Sequence, residues 1–229
     1  MKKTRFVRVI SSVISLMMLF STTASATEYM TMEEAKDYLQ NYEQITVLPS
    51  GKTSTLRFRF YDENGLIEAA EYIVENGTVA FHAMVDEKIE LALAEEATVP
   101  APTFTTPSSG YVTIPQTDGN HEVSYEANGL AEFGKYGTTS YSLEIGYQVT
   151  VSNGQIVGIN SLNFDIPWIA GWFTTWGDLT YNTYCVSPEC GATANYTLTK
   201  TITIEMENGA FSADEETDDE YFALHTTFE

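Results

Sequence analysis

Positive charge is scarce in this chain, with 11 Lys and Arg set against 32 Asp and Glu over 229 residues. So few, dispersed cations cannot neutralise a run of phosphates, and an anionic lipid surface would repel so acidic a protein. Nucleic acid is excluded as a partner on that ground. Cysteine is scarcer still, at two residues, and the three histidines stand apart at 82, 121 and 225. No zinc ligand set assembles from such spacing, and no histidine is assigned as base to a Ser or Cys nucleophile. No metal and no cofactor are expected. Long apolar runs are missing too: beyond the N-terminus none approaches the about 18 residues of a spanning helix, so no stable membrane insertion is expected.

What the N-terminus does contain is an export leader. Lys2, Lys3, Arg5 and Arg8 make a basic start, residues 9–20 an apolar run, and Ala24-Ser25-Ala26 a small-residue cleavage site. The expectation is a signal peptide over 1–26 and a secreted, extracellular product. Without the leader, seven cations remain against 32 acids, a net charge of −25. Such acidity favours solubility.

The mature chain, about 200 residues, divides by pattern into a small α+β unit over 27–96, a linker over 97–109 and an antiparallel β-sandwich or open barrel over 110–229. The fold class expected is thus mostly β. Thr31 and Glu34 have capping-box spacing ahead of a short helix with Met32, Ala35, Leu39 and Tyr42 on one side. In "TSTLRFRFY", Leu56, Phe58 and Phe60 alternate with Arg57 and Arg59 as in a half-buried strand. Asn64-Gly65 and Asn76-Gly77 read as turns of a three-stranded meander, with "DEKIELALAEEA" as a closing helix. "TVPAPTFTTPSSG" has no apolar period and reads as the linker. The two units are expected to be separable.

The second unit is patterned more strictly. Tyr141, Leu143, Ile145, Tyr147, Val149 and Val151 alternate with polar residues, and Asn153-Gly154 is a type I′ hairpin signal. Pairing across that turn sets Val151 opposite Ile156, Ile145 opposite Leu162 and Leu143 opposite Phe164. A second hairpin sets Cys185 opposite Cys190 and Tyr181 opposite Ala194. In an exported chain that close pair reads as a disulfide, worth roughly 2 kcal/mol in the chain-entropy model. The acidic run "ADEETDDEYF" offers calcium oxygen ligands but lacks the EF-hand glycine, and reads as a solvated loop before a last strand. Asn76 and Asn195 begin glycosylation acceptor triplets.

Several fragments fail as motifs. "LPSGKT" ends like a phosphate-binding loop, but Thr46 stands where the first glycine belongs and a strand follows where a helix is required. His121-Glu122 begins a zinc-protease motif, but Tyr125 takes the second histidine's place. There remains "DIPWIAGWFTTWGDL", which holds all three tryptophans at four-residue intervals. That spacing puts Trp168, Trp172 and Trp176 on one side of a helix or a strand, and the segment links two hairpins at an end of the sandwich. Packing under a loop, an exposed aromatic platform and a membrane wedge are all open at this point, although the acidity opposes the last. The function expected is a secreted, non-enzymatic binding or surface-interaction protein, recognising glycan through Trp168, Trp172, Phe173 and Trp176. The alternatives are a membrane-active secreted factor and a small extracellular hydrolase, although the chain is small for a paired-acid glycosidase with a deep cleft.

Overall fold

The computed structural model describes residues 30–96, 108–170, 173–218 and 220–229. The leader and most of the linker therefore lie outside the described residues. Thr31 caps α1 (Met32–Gln40) as its sequence implies: its hydroxyl accepts from the Glu34 N–H at 3.3 Å, and the Glu34 carboxylate accepts from the Thr31 N–H at 2.8 Å. β1 (Glu43–Val47) and β2 (Thr53–Phe60) form a hairpin. Its turn contains "LPSGKT", with Gly51 at a positive φ of 85°, so that stretch is a strand reversal. In β2, Leu56 and Phe58 are buried and Arg57 and Arg59 face solvent.

The expected meander is instead a helix, α2 (Glu63–Glu96), kinked at Gly77 where φ is 85° and ψ 162°. Asn64-Gly65 sits in its first turn, with the Asp62 carboxylate accepting from the Gly65 N–H at 2.8 Å. Leu66, Ala69, Ala70 and Ile73 recur at helical spacing before the kink, and Phe81, Val85 and Ile89 after it; all are buried. Gly65 is required for contact rather than for a turn, since a Cβ there would lie 2.2 Å from the Ala210 carbonyl oxygen. Among the described residues no helix is long and apolar enough to cross a membrane.

The remaining strands are β3 (Ser109–Ile114), β4 (Gly119–Phe133), β5 (Gly137–Ser152), β6 (Gln155–Ile169), β7 (Thr174–Val186), β8 (Glu189–Glu205), β9 (Ala210–Thr217) and β10 (Glu220–Phe228). β4, β5 and β6 make one antiparallel sheet. The larger sheet is built on β8. β7 takes one edge of it, while the other edge is shared by β9, opposite 199–205, and β10, opposite 189–196. β2 then pairs with β9, and β3 with β10, the latter being the one parallel pairing among the described strands. The molecule is mostly β, two packed sheets with two helices contributed by its first part.

Both partners of the large sheet lie on the same face of it. Phe81 of α2 packs against Phe58 and Phe211. Farther along, Tyr147 of β5 donates to the Leu224 carbonyl at 3.1 Å, and Tyr125 of β4 stacks on Phe222. One continuous hydrophobic core results. Seven paired residues of β2 and β9 carry the first sequence unit into the sheet of the second. We therefore expect residues 110–229, expressed alone, to lose cooperative unfolding, because Phe211 and Ala213 lose their cover. A sharp, two-state denaturation curve for that fragment would show that the second unit stands alone as the sequence pattern implies.

Three further expectations are corrected. The β5–β6 hairpin opens as expected, with Asn153 and Gly154 at φ 54° and 67° and Val151 opposite Ile156. Bulges then shift the register, so that Ile145 meets Phe164; Ser161, at a φ of 52°, marks one irregularity. The acidic run is not a solvated loop but β9 and β10, with Asp214, Glu215 and Glu220 buried. Its carboxylates diverge to separate donors: Asp214 to Arg59, Glu215 to Ser54 and a turn, Glu220 to Lys52.

The third concerns the cysteines. Cys185 and Cys190 are opposed in the expected register, with Tyr181 opposite Ala194, but both are free thiols. Burial pushes the Cys190 thiol up to about 12, which keeps scarce the thiolate that sulfur exchange needs. Cys185 is exposed and Cys190 buried. Alkylation of the folded protein without reductant is expected to add one label, at Cys185, and alkylation in denaturant to add two. An unlabelled mass in denaturant would instead reveal a bridge.

Candidate functional site

The tryptophan segment is neither a helix nor a single face. Trp168 lies on β6, 46% exposed, and Phe173 is 54% exposed at a φ of 75° before β7. Trp176 begins β7 in the other sheet and packs edge-on against Phe164, centroids 5.7 Å apart, at the border of the core. Trp172 lies outside the described residues. The four sequence candidates thus divide: Trp168 and Phe173 face solvent, while Trp176 is half-buried packing. Spacing of four aligns residues only within one element, and here two strands of different sheets share the segment.

A larger aromatic surface lies elsewhere. Even-numbered residues of β10 face the small sheet, as the Tyr125–Phe222 stack and the 2.8 Å contact of the Tyr147 hydroxyl with Thr226 require. Tyr221 and His225 consequently point the other way. Register sets Tyr111 of β3 beside His225 on one flank, and Gly191 of β8 beside it on the other, with Tyr184 of β7 next to Gly191. These residues form a row across four strands, about 14 Å between the outer two at ordinary strand spacing. No helix or second sheet covers this half of the face among the described residues.

The row is tied together. Tyr111 stacks on the His225 ring with centroids 4.9 Å apart and an interplanar angle of 21°. On the other side the Tyr184 hydroxyl and His225 Nδ1 are 2.6 Å apart. Tyr184 reaches that far because residue 191 is glycine: a Cβ there would lie 2.6 Å from the Tyr184 ring. Partial burial pushes the Tyr184 phenol up, so it remains neutral and a hydrogen-bonding group. Tyr111 nonetheless stays 74% exposed and Tyr221 45% exposed. Tyr221 stands four residues from His225 along β10, about 13 Å away.

The charge of this face is as telling as its rings. Outward positions at 109–113 on β3, 221–227 on β10, 191–197 on β8 and 180–184 on β7 hold no Asp, Glu, Lys or Arg. Asp178 and Glu189 stand at its ends. In a chain with 32 carboxylates, an uncharged field of rings, hydroxyls and amides is a marked local departure. Arg57, Arg59, Asp214 and Glu216 crowd the other half of the same face. Flat rings with polar rims suit ligands that present both an apolar face and hydroxyl groups. The sequence signal for this surface is an aromatic at the solvent-facing parity of β3, β10 and β7, with Gly191 of β8 between them, and it is visible only once the strands are paired.

No protein-family model matches this chain, and neither a curated protein nor a solved structure matches it.

Proposed function

We propose that this is a secreted, non-enzymatic binding protein that takes up glycan on the open face of its large sheet. The observation that carries the reading is the Tyr111–His225–Tyr184 row, exposed yet held in place by stacking and a hydrogen bond. Such pre-ordering lowers the entropy cost of binding. Sugar rings have apolar faces that lie on aromatic rings, and their hydroxyl groups suit the surrounding Thr and Asn side chains. The export leader read from residues 1–26 supplies the compartment in which cell-surface or polymer glycans are met. Trp168 and Phe173 are further exposed aromatics, one on β6 and one just before β7.

The test is a binding screen of the mature protein against an array of plant, fungal and bacterial polysaccharides, followed by analysis of any bound oligomer. Retention on a glycan with the oligomer recovered at its original length is the expected result. Shortening of the oligomer would contradict the non-enzymatic reading, and no retention on any glycan would contradict the ligand class.

A further inference from the structure

The shared edge of β9 and β10 is interrupted. β2 follows it as far as Asp218, whose N–H donates to the Thr53 carbonyl, and β3 takes it up at Ala223, whose N–H donates to the Ser108 carbonyl. Between these points no described strand pairs with that edge. A cavity of about 290 Å³ occupies the gap, with Lys52, Ser50, Ser108, Glu132, Glu220 and Tyr221 in its lining. Tyr221 belongs both to this notch and to the aromatic face, so the two are continuous. The volume is at the low end for ligand pockets and fits one ring with its substituents.

The notch carries an unbalanced charge. Glu220, its side chain 6% exposed, is paired with the Lys52 ammonium at 2.6 Å. Glu132 projects from β4 into the same space, and its Oε2 is buried with no hydrogen-bond partner. Two carboxylates and one ammonium leave one negative charge and one buried acceptor without a donor. An oxygen in that position is costly unless something donates to it. A hydroxyl would satisfy the lone pair; an ammonium group satisfies the lone pair and the charge together. The net charge of −21 adds a long-range attraction for cations.

We infer that the notch holds the primary ammonium of an amino sugar whose chain lies on the aromatic face, which makes the ligand class a glucosamine-containing glycan. This rests on the glycan reading of that face. A sugar seated against Tyr221 places one ring at the mouth of the notch. Its amine donates to Glu132 Oε2, while Lys52 keeps Glu220 occupied and prevents a second cation from entering.

The experiment is calorimetric titration with a hexamer of β-1,4-linked glucosamine and with its N-acetylated counterpart. Mildly acidic buffer keeps the amines protonated, and ionic strength of about 0.15 M damps long-range attraction. Wild-type protein is expected to bind the amine form about tenfold or more tightly, and Glu132→Gln to bring the two affinities together. Equal wild-type affinities overturn the ammonium site and leave the aromatic face standing. A preference that survives Glu132→Gln assigns it to overall acidity and overturns the site as well. Binding of neither hexamer overturns the inference; Tyr111→Ala, tested on any glycan retained in the array, then shows whether the aromatic face falls with it. A circular dichroism spectrum and melt of Glu132→Gln matching wild type establish that the variant is folded.

Discussion

Replacing Glu215 with alanine is expected to lower the unfolding free energy by about 3–5 kcal/mol, as much as truncating a buried aromatic ring. The residue is 1% exposed. Its carboxylate accepts from the Ser54 hydroxyl at 2.6 Å and from three successive backbone N–H groups of the β4–β5 turn: Gly134 at 2.6 Å, Lys135 at 3.0 Å and Tyr136 at 3.2 Å. Gly134 permits the approach, because a Cβ there would lie 2.9 Å from Glu215 Oε1 and 2.7 Å from Thr46. Glu215 therefore pins the small sheet to the large one, with buried Lys200 directly opposite on β8. Removing the carboxylate leaves buried N–H groups without an acceptor, which costs more than the bonds themselves contributed. Glu215→Gln keeps the volume but turns an amide donor toward other donors, and should lose nearly as much. Neighbouring Glu216, with its side chain 37% exposed 3.9 Å from Arg57, is the control, and alanine there should cost at most about 1 kcal/mol. Denaturant titration of the three variants measures all of this; a Glu215→Ala loss below about 1 kcal/mol would mean that the turn is held in other ways.

The second large effect is on binding. Tyr111→Ala combined with Tyr184→Ala is expected to weaken glycan binding by roughly a hundredfold or more. Each ring face removes on the order of 70 Å² of apolar surface from water when a sugar covers it, about 1.5–2 kcal/mol, or a factor of 10–30 in the dissociation constant. The melting temperature should fall only slightly, since both side chains are surface residues and buried aromatic truncations alone carry losses of about 3–5 kcal/mol. Gly191→Ala probes the same row differently. A Cβ there would lie 2.6 Å from both the Tyr184 ring and the Leu224 carbonyl oxygen, so it displaces that ring from His225 and strains the β8–β10 pairing, and affinity should drop with every aromatic residue still present. Unchanged affinity in both variants would remove this face from the binding site.

How far the sequence exposes this architecture depends on where the determining contacts lie. Local signals were sufficient for α1, whose cap is complete within four residues, and for the alternation from Tyr141 to Val151, every inward member of which is buried. The opposition of Cys185 to Cys190 likewise followed from the apolar alternation of two adjacent strands. Non-local partners hid the rest. Asn64-Gly65 and Asn76-Gly77 carry a strong turn signal, but the helical spacing of Leu66, Ala69, Ala70 and Ile73 prevails because the core lies beneath it. The acids of β9 read as solvent-facing because their donors, Arg59, Ser54 and the β4–β5 turn, are about 80 or more residues away. The tryptophans drew notice by spacing, whereas Tyr111, Tyr184 and Tyr221 come from three strands and share one face only through pairing.

The most direct measurement is a side-chain footprint of the protein with and without glycan. Hydroxyl-radical oxidation, followed residue by residue in the mass spectrum, reports which exposed aromatics a bound glycan covers. Saturating glycan is expected to protect Tyr111, Tyr184 and Tyr221 and to leave Trp168 and Phe173 as reactive as in the free protein. Protection confined to Trp168 and Phe173, with the three tyrosines unchanged, would contradict it and move the site to the β6–β7 connection.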